Sequence, residues 1–285
     1  MQPVDGEGMP ELPEVETVAR ALRPHLLGRR MTRVDVLTVK LRKPLVSFKQ
    51  KLADVLDKEI IKISRRAKYI VVEFAGMRVM LLHLGMSGSL KIVPGDVPAE
   101  NHERIIWFFD DGRSLRFHDP RKFGLVDILP LQIPDSLPEC LENLPPEPLG
   151  EHFSANYLYQ LSRGRRRPIK SLIMDNSFVV GVGNIYASES LFRAGIDPLS
   201  PAGKLTLPRY QQLVQAIRQV LQEAIAAGGT TISDFSGVDG SEGTFARHLN
   251  VYGRAGKVCL TCNKAIILKT IIGGRSTFYC PHCQK

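Results

Sequence analysis

RGRRRPIKSLIMDNSFVVGVGNIYASESLF, residues 163–192, decides the architecture of the second half of the chain. Apolar residues at helical spacing follow Pro168. Gly181-Val182-Gly183 interrupts them, and a second helical pattern covers 185–194. Proline opens helices and paired glycines break them, so the stretch predicts two helices joined by a glycine-marked turn. Asn184 is expected as the N-cap of the second helix. Free backbone N–H groups at such an N-terminus, aided by the helix dipole, make a phosphate site. Arg163, Arg165, Arg166, Arg167 and Lys170 place cations beside it. On its own the pattern fits an ordinary helical hairpin with a basic rim equally well.

Working outward, the spacing predicts helices over 155–162 and 208–227, the latter stopped by Gly228-Gly229. Residues 230–254, rich in Gly, Ser and Asp, read mostly as loop. Toward the N-terminus, prolines 130, 134, 138, 145, 146 and 148 mark a linker that continues neither helix nor sheet. Before it lie short β-rich runs: IIKISRRAKYIVVEF, RVMLLHLGM, RIIWFFDDGRSLRF and FGLVDIL, with Asp111-Gly112 as a hairpin turn. Strands in series predict an antiparallel sandwich or barrel-like domain. Leu12, Val15, Val18, Leu22 and Leu26 put an amphipathic helix ahead of it. The fold class is therefore α+β.

Cys259, Cys262, Cys280 and Cys283 form two C-x-x-C pairs, the spacing of a four-thiolate zinc site. The residues between them read as two strands joined at Gly273-Gly274. Four thiolates leave no open coordination position, so one structural rather than catalytic zinc per chain is expected. Arg275 sits beside the turn, and Cys140 stands alone.

At 285 residues the chain has room for two domains. A 44% hydrophobic share excludes wholesale disorder. No apolar run is long enough to span a bilayer, and MQPVDGEGMPELPEVE lacks the basic and apolar regions of a secretory signal. The cysteine usage suits a reducing cytosol. The formal charge is +9, and residues 151–285 carry most of it, with 16 Lys+Arg against 8 Asp+Glu. Such an excess is the footprint of a module that meets a polyanion.

In MPELPEVET, 9–17, removal of Met9 leaves a secondary amine on Pro10. An α-amine titrates near ~7.7–8.0 and a helix N-terminus depresses it further, which suits attack on a sugar C1′. Glu11 and Glu14 are near enough in sequence to move protons. Lys68, in SRRAKYIVVEF, reads as a lysine within an apolar strand region, able to contact a phosphate and supply a proton.

Together MPELPEVET, RRAKY, HLGMSGSL, DPRKFG, PPEPLG, VVGVGNIYASESLF, VYGR and TFYCPHCQK resemble the landmarks of the bacterial formamidopyrimidine-DNA glycosylase family over 9–285. The resemblance implies an N-terminal catalytic β-sandwich domain over 9–130 and a proline-rich linker over 131–150. A helix–two-turn–helix DNA-binding domain over 151–254 and a zinc-finger β-hairpin over 255–285 would follow. It implies excision of 8-oxoguanine and formamidopyrimidines from duplex DNA, then β- and δ-elimination. By that resemblance Pro10 is the Schiff-base nucleophile, Glu11 its proton donor, Lys68 the aid to β-elimination and Arg275 to δ-elimination. His102, Arg121 and Arg166 fall on DNA-contact positions, with His83, Lys170 and Asn184 as further phosphate contacts. Met86, Arg121 and Phe123 would fill the gap left by the extruded base, and the loop over 236–244 would close on the flipped lesion. A base inside a duplex cannot be attacked at its glycosidic carbon, so flipping costs a few kcal/mol, which inserted side chains offset. Damaged double-stranded DNA is the implied partner, with no membrane, a monomeric protein, and a bacterial cytoplasmic, nucleoid-associated location.

Eight residues precede Met9, where the family pattern starts. With them attached the Pro10 nitrogen is acylated, so the active protein is expected to begin at Pro10. Two rivals stay open. One is the related endonuclease VIII type, which prefers oxidised pyrimidines; Leu12, Val15 and the GMSGS stretch favour the purine-directed branch. The other is a catalytically inert zinc-hairpin DNA binder, supported by the extension alone.

Overall fold

The structure, a computed structural model, describes residues 10–230 and 243–285. Its first compact unit runs to Asn143 and includes 228–230; the second comprises Leu144–Ala227 and Thr244–Lys285. The expected lesion loop lies outside the described residues except at its C-terminal end.

In the first unit, α1 (Leu12–Leu26) buries Val15, Val18, Ala19, Leu22 and Leu26 along one stripe, as its spacing predicts. Then come β1 (Met31–Val36), α2 (Val46–Gln50), β2 (Ile60–Arg66), β3 (Tyr69–Phe74), β4 (Arg78–His83), β5 (Ser89–Pro94), β6 (Glu103–Phe109), β7 (Arg113–His118) and β8 (Leu125–Pro130). They form two four-stranded antiparallel sheets, ordered β1-β6-β7-β5 and β2-β3-β4-β8. One core joins the sheets and the helix. Ile70, Val72, Met80 and Ile128 come from one sheet, Ile105, Trp107, Leu115 and Phe117 from the other, and Val18 and Leu22 from α1. Each such aliphatic side chain contributes about 1.5–3 kcal/mol on burial. The proline-rich stretch departs from expectation by holding one helical turn, α3 (Glu139–Glu142).

The second unit contains α4 (Ala155–Ser162), α5 (Ile169–Ile173), α6 (Asn184–Arg193) and α7 (Leu207–Ala226). Residues 184–192 of α6 are all buried, which makes it the central post of the unit. The Arg218 guanidinium ties the 148–153 stretch to α7 by donating to the carbonyls of Pro148, Gly150 and Phe153 at 3.3, 3.0 and 2.7 Å. Last comes the hairpin β9 (Leu268–Ile272) and β10 (Arg275–Tyr279). Gly273 and Gly274, at φ 57° and 72°, supply the two left-handed residues a two-residue turn requires.

Candidate functional site

In the β unit, strand register gathers one set of side chains at a single end of the sandwich. Tyr69 pairs with His83, and His83 with Leu125. In the other sheet Ser89 and Glu103 both pair with His118. The 84–88 connection bridges the sheets at that end, so Lys68, His83, Met86, His102, Arg121 and Phe123 share it. The N-terminus of α1 points the same way. Glu16 accepts from Arg65 at 2.9 Å, while Arg23, seven residues later, reaches the Ile63 carbonyl further down β2 at 2.9 Å.

Lys68 is not on a strand. Arg66 pairs with Tyr69, leaving Ala67 and Lys68 as a two-residue turn with Ala67 at φ 54°. The apolar surroundings that suggested a strand position belong to β3.

The loops carrying Met86, Arg121 and Phe123 meet backbone to backbone. A Cβ on Gly85 would lie 2.5 Å from the Phe123 carbonyl carbon and 2.6 Å from the Gly124 nitrogen, so glycine alone permits the approach. Asp119, fully buried, accepts the Gly124 N–H at 2.7 Å, and its own carbonyl accepts from Arg104 at 2.8 Å. Arg42 donates its Nε to the Phe123 carbonyl at 3.1 Å. On this fixed backbone Phe123 stays 41% exposed, with the Arg121 guanidinium 5.1 Å from its ring. Asp119 and Arg42 were missed as organisers. The Asp-Pro step within DPRKFG was the available signal for the first; nothing marked the second.

His83 Nδ1 accepts the Gly85 N–H at 2.9 Å, which leaves the proton on Nε2. Burial, followed by the positive charges of Arg42 and Lys68, lowers its pKa from 6.5 to about 4. A neutral imidazole donor results. His102 is exposed at φ 69°, its carbonyl accepting the Asp119 N–H at 3.0 Å and its Nδ1 lying 3.1 Å from Arg104 Nη2.

Pro10 and Glu11 are buried at the start of α1. Glu14 is buried too, and its two oxygens accept the N–H of Glu11 at 2.9 Å and of Thr230 at 2.8 Å. Both Glu14 oxygens thus fix backbone N–H groups around the start of α1.

In the helical unit, two expectations are corrected. Gly183, extended at φ −113° and ψ −163°, is the N-cap of α6, and Asn184 is its first residue. The Asn184 Oδ1 instead accepts from Lys170 Nζ at 2.6 Å, and Asn184 Nδ2 is a buried donor without a partner among the described residues. Lys170 is fully buried rather than presented to solvent. Its ammonium also donates to the Ser276 carbonyl at 3.0 Å and Thr277 Oγ1 at 2.8 Å, fastening α5 and α6 to the zinc hairpin.

Arg167, Lys170, Ser171, Asp175, Gly273 and Arg275 line a cleft of about 310 Å³. Arg275 and Arg166 are both exposed. Burial alone would raise the pKa of Asp175, yet the Ser177 N–H and hydroxyl and the Arg167 guanidinium, 2.7 Å away, hold it at about 2. Glu189, buried in α6, accepts the successive N–H groups of Asn250, Val251 and Tyr252 at 2.9, 2.9 and 2.8 Å. An acid inside so apolar a helix was the overlooked signal.

The four cysteine sulfurs lie within 4.8 Å of one another, with Cys259–Cys283 at 3.9 Å and Cys262–Cys280 at 3.8 Å. A tetrahedron with Zn–S bonds of ~2.3 Å requires sulfurs about 3.8 Å apart, so the donor set fits zinc. Three family models match successive stretches. The formamidopyrimidine-DNA glycosylase N-terminal domain covers residues 9–126 and the H2TH domain of that glycosylase covers 144–236. The zinc finger found in FPG and IleRS covers 256–285. The chain belongs to the formamidopyrimidine-DNA glycosylase family.

Its similarity to family members extends nearly end to end. The formamidopyrimidine-DNA glycosylase of Alcanivorax borkumensis is 49% identical over 277 residues, spanning 97% of this chain and 100% of the relative. A Lactococcus lactis variant solved with DNA containing Fapy-dG superposes with a TM-score of 0.88 at 33% identity, covering 97% of this chain and 100% of that one. The MutM (FPG) protein of Thermus thermophilus gives 0.83 at 35%, covering 96% and 98%. The zinc finger, the sandwich and the helix–two-turn–helix region of the family are all present. No helix among the described residues is long and apolar enough to cross a membrane.

Proposed function

We propose that this family member is a bifunctional enzyme of base-excision repair, removing 8-oxoguanine and formamidopyrimidines from duplex DNA and then cleaving the strand. Pro10 is its nucleophile. The secondary amine attacks C1′ of the damaged nucleotide, the glycosidic bond breaks, and the base leaves with a proton that Glu11 supplies. The resulting iminium acidifies the sugar, so elimination expels the 3′ and then the 5′ phosphate. Lys68 assists the first elimination and Arg275 the second. Met86, Arg121 and Phe123 fill the space of the flipped nucleotide. His83, His102, Arg166 and the Asn184 amide contact the backbone, while Lys170 holds Asn184 and the hairpin in place and adds its charge. The protein works as a monomer in the bacterial cytoplasm, at the nucleoid.

The observation that carries this reading is the position of Pro10. It stands directly before the Glu11 N-cap, at the positive end of a helix aimed at the loops bearing Lys68 and Phe123. That dipole favours an unprotonated amine at neutral pH. Borohydride trapping on lesion-bearing duplex tests it. Protein beginning at Pro10 gives an adduct mapped by peptide mass to Pro10; protein verified by mass to retain residues 1–9 gives none, because its proline nitrogen is an amide. Equal trapping by both forms overturns the assignment. A lesion panel tests substrate class, and preference for oxidised pyrimidines would favour the endonuclease VIII type.

A further inference from the structure

The zinc module carries an inverted outer face. Val258 bridges Ile266 in antiparallel register, Cys259 N–H reaches the Ala265 carbonyl at 2.9 Å, and Ile267 N–H reaches the Lys257 carbonyl at 2.9 Å. This is a short two-stranded ribbon, so side chains alternate between its faces with period two. One face is inside: Cys259 and Ile267 are 0% and 1% exposed. The opposite face belongs to solvent and would ordinarily be polar. Here it holds Val258, Leu260, Ile266 and Leu268, at 54%, 59%, 53% and 42% exposure. Four aliphatic side chains on one small face mark an interaction surface rather than the scattered apolar residues of a normal exterior.

Charge selects the occupant. From Val251 to Lys285 the chain has six Lys+Arg, at 254, 257, 264, 269, 275 and 285, and no Asp or Glu. Lys257, Lys264 and Lys269, next to the four aliphatics in sequence, are exposed. Nucleic acid would satisfy the lysines but offers phosphates to the aliphatics. A second copy would satisfy the aliphatics but bring cations against cations. We infer that this face docks a protein segment rich in both acidic and large apolar residues. The site lies on the ribbon's own outer face, whereas the cleft that includes Arg275 is lined by α5 and the 272–275 turn.

The test uses the full zinc-loaded protein and a fluorescein-labelled decapeptide alternating Asp with Leu and Phe. Fluorescence anisotropy should show saturable binding that survives excess undamaged duplex. A matched peptide with Ser in place of Leu and Phe should bind about tenfold more weakly or worse. The pair V258S and I266S should weaken the apolar peptide by about tenfold while leaving zinc content and duplex affinity unchanged. If that variant loses zinc, L260S alone, on the exposed side of the ribbon, supplies the same comparison. Binding indifferent to these substitutions, or displaced completely by duplex, overturns the inference. So does concentration-dependent dimerisation in sedimentation that the substitutions abolish, since the occupant would then be a second copy.

Discussion

At the loop end of the β-sandwich, Arg121, Phe123 and His102 stand on backbone fixed by Asp119, Arg42 and Arg104, and their side chains remain at the surface. In the helical unit Lys170 and Glu189 are buried and spend their hydrogen-bonding capacity on carbonyl, hydroxyl and N–H groups of their own unit. One arrangement displays side chains on a rigid platform; the other consumes charge to build the platform. A motif that supplies charged residues does not reveal which of the two it serves. Burial does: a lysine ammonium has three donors, and one whose donors are filled by protein has little left for a ligand.

This contrast can be broken experimentally. The largest effect is expected at the zinc site, where Cys280→Ser should remove about one equivalent of zinc, by metal analysis, and abolish DNA binding by gel shift. Full zinc content with tight binding would show that the hairpin stands without its metal. Next comes Lys68→Ala in the β2–β3 turn. Excision of 8-oxoguanine should fall on the order of 100-fold, with cleavage at a pre-formed abasic site falling less, because the exposed aldehyde needs no base expelled. Equal losses in single-turnover assays would point to binding alone.

Lys170→Ala should act on the platform. Three buried acceptors lose their donor, costing roughly 3 kcal/mol, seen as a lower thermal midpoint and weaker binding of damaged and undamaged duplex alike. An unchanged midpoint would place Lys170 with the displayed residues after all.

His83 is expected to reveal its burial through pH. Its folded pKa of about 4 lies below its ordinary 6.5, so the unfolded chain takes up the proton first. Its contribution to stability is complete above pH 6.5 and is lost as pH falls toward 4, to a total of roughly 3 kcal/mol. His83→Gln should flatten that part of the stability profile in urea titrations at several pH values; a profile as steep as before would mean the imidazole is already charged when folded. The smallest effect is expected from Arg166→Ala. The thermal midpoint should stay put, and the slope of log affinity against log salt should drop by about 0.9 for one lost phosphate contact. If it destabilised the fold as much as Lys170→Ala, exposure would not separate the two kinds of cation.

Periodicity made much of the fold legible. The α1 stripe, the helices around 155–162 and 208–227, the series of antiparallel strands and the Gly273-Gly274 hairpin all follow from spacing and turn chemistry that act locally. The zinc ligands were legible for the same reason, since two C-x-x-C knuckles set the geometry themselves. What escaped was decided across long separations. Whether Lys68 sits on a strand or in a turn depends on the β2–β3 register, and the Asn184 oxygen is taken by Lys170, fourteen residues away. Arg42 reaches the Phe123 carbonyl 81 residues on, a pairing no local pattern encodes.

The hydrogen bond from the Thr230 N–H to Glu14 links residues 216 positions apart within the β unit. A ribosome adds about 5–20 residues per second, so roughly 10–40 s separate the appearance of these two partners. Throughout that interval the eight strands can pair while the Glu14 carboxylate lacks one of its donors. The first turn of α1, which Pro10 directly precedes, is thus completed only after the last long helix has been made. A chain broken off before residue 230 would keep its sheets and still carry an unfinished N-terminal turn, which ties the setting of Pro10 to completion of translation.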